Sequence, residues 1–385
     1  MKPLVVIRIP KVSERARQRA VIFFFCLIIA FSIYTHLFSA KFYPQTVSRE
    51  DAWYVGAVNA SAHGTLSSYA FNYTYNGITQ HIIYNPAQYG YGMIYIPLLF
   101  NLVFRNPLNS VIFTGMLFGV LFLISIYFFT YEFTRSRGAA LVSMLVLAAT
   151  PSFLYSNTFG RYEGESILPF FVSLLLIFLL KAQDDRRWLI PFAVLLSLVW
   201  GLWNGAYYAY GIVSIIAFYL AARWLLPSIP RAAYLLATAA MAAFLYLSVS
   251  FPAQLVLKFL PINPFDQTFQ YLTFNSFLFN SAMIGLLAIP ALPLAVAEVG
   301  KGDPKHDMAI YALGAMVLLG FYLSANFTRW WEFTAMPVAV LTSYMLLRLY
   351  EGRHYYTLML AGLVLFYAAV MAVVWMHGIS PVGFW

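Results

Sequence analysis

A chain of 385 residues that is 62% hydrophobic and 19% aromatic, with only 10% charged residues, is not an ordinary soluble domain. Its mean hydropathy of +0.75 and its repeated apolar runs of about 16–24 residues point to a bilayer. The net charge of +9 does not mark a nucleic-acid protein, because the basic residues are scattered over many short loops, and the single Cys26 rules out an internal disulfide or a cysteine metal site.

In chain order, residues 1–19 form a basic tail with Lys2, Arg8, Lys11, Arg15, Arg17 and Arg19. The apolar run over 20–40 ends at Lys41 without a small-residue cleavage pattern, so it reads as a signal anchor whose basic end is cytoplasmic. A long outer loop, 41–107, follows. Inside it, the stretch Tyr89 to Phe104 holds Gly90, Gly92 and Pro97 and reads as a helix lying in or dipping into the interface. Further spans are expected at 108–131, 139–155, 166–180, 188–203, 206–222, 232–250, 275–299, 308–325, 333–347 and 356–376. The expected fold class is an all-α polytopic membrane protein of about eleven transmembrane helices, with outer loops at 41–107, 156–165 and 251–274 and a short outer tail at 377–385.

Positive charge supports this layout. With the N-terminus inside, only Lys41, Arg49, Arg105, Arg161, Lys258 and Arg329 of the 23 Lys and Arg fall outside. Counting 89–104 as a full span would invert every later loop and move most of the basic residues to the outer face.

The acids then stand out. Charge near a bilayer is costly unless it is solvated, paired or bound to a cation. Glu50-Asp51, Glu163-Gly-Glu165 and Asp266 all fall in outer loops on this layout, as does Arg329. In a non-helical turn, the spacing of Glu163 and Glu165 can aim both carboxylates at one point, and Arg161 brings a cation beside them. Oxygen-only ligands select hard cations. The bland alternatives are loop solvation or helix capping for the acids and a snorkelling role for Arg329. His63, His81 and His377 lack metal-ligand spacing, and Asp184, Asp185, Asp303 and Asp307 read as cytoplasmic loop charges.

Two segments carry a resemblance: Asp51-Ala-Trp-Tyr just after the first span, and Gly160-Arg-Tyr-Glu163-Gly-Glu165 after a span ending Ala-Thr-Pro-Ser. Together with Tyr127 to Val142 and Trp200-Gly-Leu-Trp-Asn-Gly-Ala-Tyr, they resemble the catalytic subunit of oligosaccharyltransferases, within the GT-C fold glycosyltransferases. The resemblance covers about 45–215, is weaker over 250–345 and is absent beyond. It implies a metal-dependent transfer of a glycan from a polyprenyl-phosphate or polyprenyl-pyrophosphate donor to an acceptor on the non-cytoplasmic face. In that picture Asp51 and Glu163 bind Mg²⁺ or Mn²⁺, with Asp266 as the candidate third ligand, and Glu165 lies near the donor. Arg329 contacts the donor phosphate, Arg161 and Lys258 add to the field, and aromatic side chains line a groove for the lipid tail.

The pattern also departs from that family. The second-loop pair is Glu-x-Glu where Asp is commoner, and Pro-Ile-Asn-Pro-Phe-Asp266-Gln fits the usual third motif poorly. The expected chain is a short form that ends at Trp385 without the family's large outer C-terminal domain, so a second chain is a candidate for acceptor recognition. Trp330-Trp331-Glu332 resembles the family's Trp-Trp-Asp, but reads as belt aromatics at a membrane boundary. Rival readings are a monosaccharide transferase resembling protein O-mannosyltransferases, a non-catalytic assembly subunit, and a transporter. Transporters place acids near mid-span and carry inverted repeats, and neither is found here.

Overall fold

The computed structural model describes residues 13–39, 49–64, 69–75, 78–84, 90–150, 153–154, 157, 161–202, 206–225, 287–300, 303–326 and 331–351. The side chains of Asp51, Glu165 and the strand residues are outside that description. The expected spans at 232–250 and 356–376 lie outside it as well, and of 275–299 only the C-terminal part lies within.

Helices α1 (Glu14–Ser39) and α2 (Arg49–Ala62) come first. The strands β1 (Tyr69–Tyr75) and β2 (Ile78–Tyr84) pair antiparallel, with Tyr69 opposite Tyr84 and Tyr75 opposite Ile78. This hairpin is the one departure from a helical chain among the described residues. The sequence predicts loop here, although Asn76-Gly77 between the strands is the dipeptide that best suits a two-residue hairpin connection.

Helix α3 (Gly92–Phe104) lies within the stretch expected to be helical. It ends at Arg105 in the left-handed conformation (φ 48), whose N–H bonds Asn101 O. Asn106 then caps α4 (Pro107–Thr134) through its side chain, and Pro107 opens the helix where no N–H partner is required. Next come α5 (Arg137–Ala149), capped by Ser136, and α6 (Gly164–Ala182). After a 3₁₀ turn at Arg186–Trp188 follow α7 (Leu189–Leu202), α8 (Tyr207–Leu225), α9 (Ala288–Glu298), α10 (Pro304–Asn326) and α11 (Trp331–Glu351). Three helical stretches, Glu14–Phe38, Pro107–Thr134 and Phe333–Glu351, are long and apolar enough to cross a membrane, and the shorter apolar helices stand beside them.

Helix α4 is central and packs against α1, α2, α3, α5, α6, α10 and α11. It is apolar enough to bury most of its circumference: Phe122, Leu123, Ile126 and Phe129 enter the main core with Met144, Leu168, Leu175, Tyr311 and Leu341. A helix hydrophobic all round belongs inside a bundle or in lipid. The outward faces of α1 and α7 keep Phe23, Leu27, Ile190 and Leu198 exposed, a surface suited to hydrocarbon.

A second, smaller apolar cluster joins α2 (Tyr54, Ala57, Val58), α3 (Met93, Ile94) and α4 (Val111, Phe118) to Tyr162 and Ile167 at the start of α6. Helix α6 has 19 residues, roughly 28 Å at 1.5 Å per residue, close to the ~30 Å of a hydrocarbon core.

Candidate functional site

At the end that holds the smaller cluster, α6 begins immediately after Glu163. Glu163 has an extended backbone (φ −137, ψ 168), and its carbonyl accepts the first helical bond from Ser166 N–H at 3.0 Å. Its side chain does not cap the helix. Instead Oε2 accepts from Arg161 Nη2 at 2.8 Å, and both residues are buried, Arg161 5% and Glu163 3% exposed. A carboxylate beside a helix N-terminus is favoured by the helix dipole. Placing the pair in an apolar end of the bundle carries a desolvation cost of several kcal/mol per ion, offset only by close, well-formed contacts. The expected turn carrying both acids is shorter than anticipated. The helix already includes Glu165, so the two acids straddle its first residue, Gly164, rather than sharing one loop.

The segment before α6 is pressed onto α4 at two glycines one turn apart. A methyl group at Gly115 would stand 2.7 Å from Arg161 O, and one at Gly119 would stand 2.5 Å from Asn157 Oδ1. Such distances are far inside van der Waals contact, so only glycine lets this segment lie so deep. Tyr162, in the same segment, is fully buried and donates its hydroxyl to Met93 O of α3 at 3.0 Å. Its ring meets Tyr54 of α2 edge-on, with centroids 5.2 Å apart at 88°.

Asp51 lies in the first turn of α2, three residues before Tyr54. The backbone thus brings the helix of Asp51 and the segment of Glu163 to the same end and into contact through Tyr54 and Tyr162. Asp266, Lys258 and Arg329 lie outside the described residues. Glu163 is the one proposed ligand whose side chain is described. It supplies a buried carboxylate of the kind a hard cation takes. Among the described residues, no three His, Cys, Asp or Glu side chains gather as a preformed cation cage. Reading the sequence missed Tyr162, Gly115 and Gly119. The Gly115-x-x-x-Gly119 spacing was visible, and it marks a helix face open to close approach.

The opposite end carries a network of charges. Lys305, 3% exposed, pairs with Asp184 and stands 3.7 Å from Glu132, which also binds Arg135 at 2.8 Å. Glu298 accepts from Tyr344 and Arg348, with His306 Nε2 at 3.5 Å. His306 stacks on Phe133 at 4.8 Å, and Asp307 accepts from Gly300 N–H at 3.0 Å. A cleft of about 390 Å³ opens among Glu132, Arg135, Glu298, Asp303, His306 and Arg348. The described turns after α4, α6 and α9 and the end of α11, all expected to be cytoplasmic, therefore meet at one end, and the proposed site residues that are described sit at the other.

No protein-family model matches the sequence, and no curated protein matches it. Solved structures do. The oligosaccharyltransferase of Archaeoglobus fulgidus in its apo form superposes with a TM-score of 0.69 at 13% identity, covering 94% of this chain and 56% of that one. The same archaeal protein, AglB, solved with an inhibitory peptide and a dolichol-phosphate, gives 0.64 at 13% identity, again over 94% and 56%. ArnT from Cupriavidus metallidurans bound to undecaprenyl phosphate gives 0.53 at 14% identity, over 86% of this chain and 61% of its own. The chain has the fold shared by these proteins, the GT-C fold expected from the two loop motifs. It spans a little over half the length of the archaeal protein.

Proposed function

We propose that this chain is a multi-pass integral membrane glycosyltransferase. It moves a glycan from a polyprenyl-phosphate or polyprenyl-pyrophosphate donor to an acceptor on the non-cytoplasmic face. The observation that carries this reading is the buried Arg161–Glu163 pair at the head of α6, on a GT-C fold, at the end away from the clustered basic turns. Solved neighbours hold dolichol-phosphate, undecaprenyl phosphate, or zinc and sulfate, which supports a lipid-phosphate donor and a divalent ion. The eleven-span topology belongs to this reading, with the charged network facing the cytoplasm.

In this reading Asp51 and Glu163 hold Mg²⁺ or Mn²⁺, with Asp266 as a third ligand. When bound, the ion stabilises negative charge on the departing phosphate. Asp51 orients the acceptor nucleophile and takes its proton as the sugar–nucleophile bond forms. The bond between the anomeric carbon and phosphate oxygen breaks, and Arg329 pairs with the leaving phosphate. Arg161 orients the Glu163 carboxylate. Glu165 and Lys258 lie toward the donor headgroup. Acceptor reading by a second chain is part of the oligosaccharide-transfer version.

The test is transfer by protein purified with its lipids. Asp51→Ala and Glu163→Ala should each abolish turnover while the protein still inserts and folds, and full activity in either rejects the assignment. The ArnT likeness favours a second reading, in which a single sugar comes from a polyprenyl monophosphate. Donor identity separates the two: a lipid pyrophosphate oligosaccharide supports the first, a lipid monophosphate monosaccharide the second.

A further inference from the structure

The residue between Arg161 and Glu163 is the meeting point of three elements. In α3, the Met93 carbonyl would ordinarily accept from the N–H of residue 97, but residue 97 is proline. That carbonyl is left open within the helix, and the Tyr162 hydroxyl fills it at 3.0 Å. The Tyr162 ring also lies edge-on against Tyr54, which stands on α2 three residues after Asp51. A single fully buried side chain therefore touches the helix of Asp51 and the proline-bearing helix α3, and its own chain neighbour is Glu163. A phenylalanine would fill the same apolar space. Only a hydroxyl answers the carbonyl that Pro97 leaves unpaired.

We propose that Tyr162 is a positioning residue that sets the spacing between Glu163 and the start of α2 through its bond to Met93 O and its contact with Tyr54. This rests on the reading of Asp51 and Glu163 as ligands of one divalent cation. Its effect is on the geometry of the pair and not on the chemistry, since nothing in its role requires contact with substrate. Gly115 supports it from behind, because its missing methyl allows the Arg161 carbonyl to lie against α4, with Tyr162 Cδ2 3.8 Å from the same point.

The experiment compares wild type, Tyr162→Phe, Glu163→Gln and a remote core control, Leu123→Ala, as full chains in nanodiscs. Three readouts are taken: affinity for Mn²⁺ alone, melting temperature, and amide hydrogen exchange. For Tyr162→Phe the expected result is an Mn²⁺ affinity lowered about fivefold or more, with melting close to wild type. Exchange should be faster in the peptides covering 53–62 and 92–100 and unchanged near 132–137. Leu123→Ala should melt lower yet bind Mn²⁺ normally, which separates positioning from general destabilisation. Glu163→Gln should lose Mn²⁺. If Glu163→Gln loses the ion while Tyr162→Phe binds it as wild type does, the positioning claim is overturned. If Glu163→Gln binds Mn²⁺ normally, the cation reading fails instead, and exchange in Tyr162→Phe then decides the positioning role: unchanged protection in both peptides overturns it, and faster exchange in both sustains it.

Discussion

Arg161 and Glu163 show how much rests on one buried ion pair. The guanidinium lies 2.8 Å from the carboxylate, with both side chains almost fully enclosed. Removing the cation from such a pair typically costs about 3–5 kcal/mol, against about 0–1 kcal/mol for an exposed one. Arg161→Met is therefore expected to lower unfolding stability by about 3–5 kcal/mol, read by denaturant unfolding in detergent. Arg161→Lys, which keeps the charge but loses the planar fork, should lose less. The carboxylates were legible from the residues because acids are scarce in so apolar a chain. Tyr162 was not. One tyrosine among 28 carries no signal until the fold sets it against an open carbonyl.

Helix α4 makes the same point at the next scale. In an exposed helix, Gly→Ala gains about 1 kcal/mol from propensity. At Gly115 the new methyl would meet a backbone carbonyl at 2.7 Å, and overpacking typically costs about 1–3 kcal/mol. The clash should win because backbone cannot swing aside. Gly115→Ala is expected to destabilise net, with a fall in melting temperature and faster exchange in the segment leading into α6. Helix α3 was anticipated from its length, its glycines and its proline, and its turn into α4 follows from Arg105, Asn106 and Pro107. The hairpin was missed because a long loop beside a membrane was read by hydropathy, which is blind to the period-two pairing of Tyr69–Tyr75 with Ile78–Tyr84.

For the whole molecule, the layout came from counting charge, and the structure gathers Glu132, Asp184, Lys305 and Arg348 at one end and Arg161 with Glu163 at the other. In a Cys26→Ser background, Gln183→Cys and Asn59→Cys, both exposed positions, should react with an impermeant maleimide from opposite faces of sealed vesicles. Labelling from the same face would reject the topology. Lys305 is nine-tenths buried although its partner Asp184 is 68% exposed, so part of the pairing is screened. Lys305→Ala should accordingly cost about 1–3 kcal/mol, less than the loss at Arg161, as measured by thermal unfolding. Asp266, Lys258 and Arg329 lie beyond the described residues, so for them only position along the chain was legible.

Glu298, Lys305, His306 and Arg348 fasten the turns after α4, α6 and α9 and the tail of α11 into one knot. Helices tied together at their feet cannot part there without breaking several charged contacts at once. Among the described helices, parting is therefore less costly at the far rim, where α2, α3 and the head of α6 are joined chiefly by aromatic and apolar contacts. The described helices tied in this way form a purse with a sewn base, whose mouth is the apolar rim.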